Sequence, residues 1–71
     1  MLISLHKLVS CCNEEYLSFS DPCVENALLE VRQDLESRRL AYEEVIEALT
    51  QVVPIETAHE LMMHMRSLKK N

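Results

Sequence analysis

At 71 residues the chain is one domain's worth of sequence. A domain this small buries a modest share of its surface and gains from oligomerisation or cross-links. Its 48% apolar and 27% charged composition excludes intrinsic disorder, and a net charge of −5 disfavours a polyanionic partner. Glycine is absent and proline occurs twice, at Pro22 and Pro54. Tight hairpins need residues with positive φ at the turn, usually glycine. A sheet protein of this length would need several, so the composition selects an all-α fold.

The first segment runs over 2–17. Leu2, Leu5, Val9, Cys12 and Tyr16 recur at steps of three and four, which marks one face of a helix, widened by Leu8 and Cys11. Leu8-Val9-Ser10-Cys11 matches a lipoprotein cleavage pattern. No basic region followed by a sufficient apolar stretch precedes it, so the match reads as coincidence. Ser18-Phe19-Ser20-Asp21-Pro22 ends the stripe. Ser20 or Asp21 can cap a new helix and Pro22 suits its first turn.

The second segment starts at Pro22, with Val24, Leu28, Val31 and Leu35 on one face. The same register continues through Tyr42, Val45, Leu49 and Val52, with one flaw at Arg38. Residues 22–53 therefore form either one helix about 45–50 Å long or two helices, 22–37 and 40–53, broken near Ser37 to Ala41. The polar run Glu36-Ser37-Arg38-Arg39 favours the break, and Glu43 and Glu44 then sit in a first turn where acids are stabilised. Pro54 separates the last helix, 55–69, whose apolar face is Ile55, Ala58, Met62 and Met65. The expectation is a bundle of three to four helices, a single domain over 1–71 and a dimer. No stretch approaches the roughly 20 apolar residues of a membrane span.

No catalytic constellation emerges. His59 and His64 are five residues apart, roughly 140° around a helix, whereas a metalloprotease pair needs a spacing of four. Cys11, Cys12 and Cys23 contain no CxxC, and the adjacent pair points about 100° apart on a helix. The three read as reduced thiols of a cytoplasmic protein, without metal or other cofactor. Arg32, Arg38 and Arg39 form one small basic group and Arg66, Lys69 and Lys70 another. Both read as solvated faces with pairs to Asp34, Glu36 and Glu43.

What stands out is apolar surface. Met62, Met63 and Met65 suit an adaptable contact face. With Tyr42, Val45 and Leu49 they are the expected partner-binding residues, and Cys12 and Tyr16 are further contributors. The expected function is a non-enzymatic protein–protein interaction module, bacterial and regulatory or chaperone-like, acting on itself or on another protein. The alternative is a helix-turn-helix transcriptional regulator. The acids Glu56 and Glu60 in the final helix and the missing turn glycine count against it. In size and helix order, with Tyr42-Glu43-Glu44-Val45-Ile46 opening a late helix, the layout is similar to small helical regulators of the AriR biofilm group. It is also similar to small co-chaperones of type III secretion. The similarity carries no functional residue to this chain.

Overall fold

A computed structural model describes residues 3–12 and 18–68. The described residues contain four helices: α1 (Ile3–Cys12), α2 (Pro22–Glu36), α3 (Tyr42–Leu49) and α4 (Ile55–Ser67). α1 packs on α2 and α3, and α4 packs on the same two helices, so the four close a ring around one core. Lys7 pairs with Glu30 at 3.6 Å, while Ser4 near the start of α1 donates a hydrogen bond to Asp34 near the end of α2. The two helices therefore run antiparallel.

Each helix turns most of its apolar stripe inward, whereas Tyr42 and Ile55, at the starts of α3 and α4, stay exposed. Leu5, Leu8 and Cys12 come from α1, and Val24, Ala27, Leu28 and Val31 from α2. α3 gives Val45 and Leu49; α4 gives Ala58, Leu61, Met62 and Met65. Leu2, Tyr16 and Leu17 of the first stripe lie outside the described residues.

The start of α2 follows its sequence signals. Asp21 is the N-cap and its Oδ1 accepts a hydrogen bond from the Cys23 amide at 2.8 Å, with Pro22 in the first turn. At its other end the long-helix alternative fails. A helix over 22–53 would span about 48 Å, but the molecule's longest extent is 31 Å. The break falls on the flaw in the heptad. Arg38 adopts φ 64°, the left-handed conformation. The Arg38 amide donates to the Leu35 carbonyl at 3.2 Å and the Arg39 amide to the Asp34 carbonyl at 2.9 Å. These are the two bonds of a Schellman cap, a position that normally selects glycine. Arginine fills it because the chain has no glycine, at a cost of roughly 1–2 kcal/mol for a left-handed residue with a Cβ. The reversal lets Leu40 drop into the core, 6% exposed. The Arg38 side chain is exposed and makes no hydrogen bond or ion pair among the described residues that would offset the strain. Arg38→Gly should therefore raise stability by about 1 kcal/mol, read as a melting temperature higher by about 4–8 °C.

α3 is shorter than the expected 40–53. It begins after Ala41, which is extended and provides no side-chain cap, and ends at Leu49. Val52 and Val53 both donate to the Leu49 carbonyl, at 3.0 and 2.9 Å, which tightens the chain into a turn. Val53 precedes Pro54, whose ring excludes helical geometry for it. Both valines still pack against the core. No described helix is long and apolar enough to cross a membrane.

Candidate functional site

The six expected contact residues separate into two sets. Val45 and Leu49 are fully buried, Met62 is 1% exposed and Met65 3%. These four fill the protein's own core and offer nothing to a partner while the bundle is folded. Tyr42 and Met63 are 41% and 70% exposed. Cys12 is also interior, and Tyr16 lies outside the described residues.

Met63 lies on the outward face of α4. Glu56, His59, Glu60, Arg66 and Ser67 fall within about 60° of it by helical periodicity, and all are exposed. Ile55, 57% exposed, flanks the helix start. Arg66 sets its guanidinium carbon 5.5 Å from the centre of the Tyr42 ring. That distance is within cation–π range and carries the face across to α3. The order of charge along α4 is acidic early and basic late.

Arg32 does not belong to a free basic patch. Its Nη1 donates to the carbonyl oxygens of Met65 at 2.9 Å and Leu68 at 2.6 Å, and its Nε stands 3.8 Å from Glu36 Oε1. It neutralises the carbonyl end of α4 across the bundle, where the helix dipole is negative. Lys69 and Lys70 of the second basic group lie outside the described residues.

A second feature is the groove between α1 and α2, about 710 Å³, lined in part by His6, Cys11, Cys23 and Asn26. Here the Cys11 and Cys23 sulfurs are 2.7 Å apart, and both are free thiols. Burial first, and then the contact with Cys23, push the Cys11 thiol up to about 12. Burial alone pushes Cys12 up to about 11. Cys12 therefore stays a neutral thiol at physiological pH and behaves as a small apolar core residue. Sequence reasoning passed over the Cys11–Cys23 approach because their spacing matches no motif.

The histidines do not converge. His59 is exposed, whereas His64 packs its ring on Phe19 with centroids 5.7 Å apart. Among the described residues no three His, Cys, Asp or Glu side chains cluster as metal ligands would. Among the described residues the fold and the two surface features thus define a small bundle of four helices with a mixed-charge helical face and a thiol pair. No family model, curated protein or solved structure matches the chain.

Proposed function

We propose that the protein is a non-enzymatic interaction module, regulatory or chaperone-like, whose contact surface is the outward face of α4 and whose first partner is a second copy of itself. The observation that carries this reading is Met63, 70% exposed at the middle of a helix that is acidic in its first turn and basic in its last.

A two-fold dimer repeats one patch on both partners, so the patch must complement itself. Let two α4 helices lie antiparallel with the axis at Met63. Glu60 and Arg66 are each three residues from Met63, so Glu60 of one copy comes level with Arg66 of the other along the helix axis, on the far flank of the methionines. The two methionines meet at the axis, where a flexible thioether adapts to its own copy. Tyr42, stacked on Arg66, adds an aromatic anchor at the edge, a residue type enriched in interfaces. A parallel arrangement would set acid against acid. Glu56 and Glu60 on this face also repel phosphate, which disfavours the helix-turn-helix alternative.

Sedimentation equilibrium across a concentration series tests the reading. The expected mass rises from one chain to two with concentration. Met63→Glu sets two carboxylates against each other at the axis and should weaken association at least about tenfold, or 1.4 kcal/mol. Glu60→Lys or Arg66→Glu alone should also weaken it, and the double reversal should restore it. A one-chain mass up to the solubility limit overturns the homodimer and leaves this face to a different protein. Dimerisation indifferent to all four variants overturns the choice of face.

A further inference from the structure

The sulfurs of Cys11 and Cys23 stand 2.7 Å apart. Non-bonded heavy atoms ordinarily settle at about 3.5–4.0 Å, so the fold has already brought this pair nearer than packing alone requires. We propose that Cys11 and Cys23 form an oxidation site, a dithiol that exchanges with a small-molecule disulfide and closes into an intrachain disulfide stapling the end of α1 to the start of α2.

Three observations carry the assignment. The first is access, because Cys23 is exposed and Cys11 is half-buried at the rim of the α1–α2 groove. An oxidant can therefore reach the pair from solvent. The second is selection between neighbours. Cys12 lies about 100° around the helix from Cys11 and points into the core, 3% exposed. Only one of the adjacent cysteines faces Cys23. The third concerns metal. Two thiolates on a tetrahedral zinc, each about 2.3 Å from the ion, are held about 3.8 Å apart. This pair is much closer, and no third ligand joins it among the described residues.

The chemistry balances as thiol–disulfide exchange. Cys23, the more exposed sulfur, attacks as its thiolate one sulfur of the small-molecule disulfide. That S–S bond breaks, one small thiolate leaves and takes up the proton that Cys23 released, and Cys23 is left as a mixed disulfide. Cys11 then loses its proton and attacks the Cys23 sulfur, displacing the second small thiolate, which takes that proton. Two cysteine thiols are oxidised by two electrons, and the oxidant is reduced to two thiols. The Cys11 thiol, held up to about 12 in the reduced pair, keeps its proton until that second step.

The product closes residues 11–23 into a loop. A cross-link around a loop of this size restricts the unfolded chain, and in a domain of 71 residues it should raise the melting temperature by about 10 °C or more.

The test uses the full reduced chain incubated with oxidised glutathione. Free thiols are then alkylated, and the chain is cut with a glutamate-specific protease. Cleavage after Glu14 and Glu15 separates Cys11 and Cys12 from Cys23, which trypsin leaves on one peptide. Before alkylation the expected intact mass is that of one chain less two hydrogens. The Cys11 peptide should be joined to the Cys23 peptide with Cys12 alkylated, and the melting temperature should be raised. Cys12→Ala should keep the link and the shift; Cys11→Ser and Cys23→Ser should lose both. If Cys12→Ala fails to fold, tandem fragmentation of the wild-type linked peptide between residues 11 and 12 assigns the bond by itself. Full alkylation of Cys11 and Cys23 after exchange overturns the proposal. So does a Cys12–Cys23 bond, a bond between chains, or glutathione retained on Cys23 without resolution.

Discussion

Met62→Ala should destabilise the protein by about 2–5 kcal/mol, while Met63→Ala, one residue further on, should leave its stability within about 0.5 kcal/mol. The two side chains are chemically identical and leave the helix about 100° apart. Met62 is 1% exposed in the ring of four helices, against 70% for Met63. Truncating Met62 removes buried thioether and methylene surface and leaves a cavity that the surrounding leucines fill only in part. At about 0.05–0.15 kcal/mol per residue, a chain of 71 residues has a total stability of about 4–11 kcal/mol. Loss of Met62 therefore consumes a large share of it, and the melting temperature should fall by about 10 °C at the least. Thermal and urea unfolding of the two variants, both at a concentration where the chain is monomeric, gives the comparison. Equal destabilisation would show that α4 is rotated about its axis relative to the structure described above. In the association assay the order should invert, with Met63→Ala the more damaging change.

Arg32→Met comes next in size. The substitution keeps most of the apolar stem and removes the guanidinium, whose Nη1 bridges the carbonyls of Met65 and Leu68. The side chain is only 14% exposed, so water replaces those bonds poorly. A hydrogen bond from a charged donor contributes about 1.5–3 kcal/mol. The two bonds share one nitrogen, so the expected loss is that of one strong interaction, about 1.5–3 kcal/mol. Its location is as diagnostic as its size. Amide exchange should quicken most in the last turn of α4, where Leu68 closes the helix on His64 and Met65. Arg32→Lys should recover only part of the loss, because one ammonium nitrogen replaces the Nη1 and Nε that together reach the two carbonyls and Glu36. A uniform loss of protection through α2 would instead assign Arg32 a role in its own helix through Glu36.

Much of the fold was legible because its determinants are local. Asp21-Pro22 starts α2 through a cap and a fixed φ, and Pro54 excludes helix from Val53. The interruption of the apolar register at Arg38 marks the residue that turns left-handed. Apolar steps of three and four located all four inward faces, since burial on one side of a helix forces that period whatever lies opposite. The same generality hid the site. A stripe covered by sister helices and a stripe kept for a partner have the same pattern. Val45, Leu49, Met62 and Met65 therefore read as contact residues alongside Tyr42 and Met63, and only Tyr42 and Met63 remain exposed.

What the sequence determined by itself is the helical class, the starts of α2 and α4 and the inward period of each helix. All of these follow from dihedral limits and side-chain spacing within a few residues. Tertiary structure alone decided that the four stripes satisfy one another and that Arg32 closes a helix more than thirty positions downstream. It alone brought Cys11 to Cys23 and left Met63 facing outward. Each depends on which helix packs against which, and that choice rests on the summed burial of the whole chain, to which no single segment holds the answer.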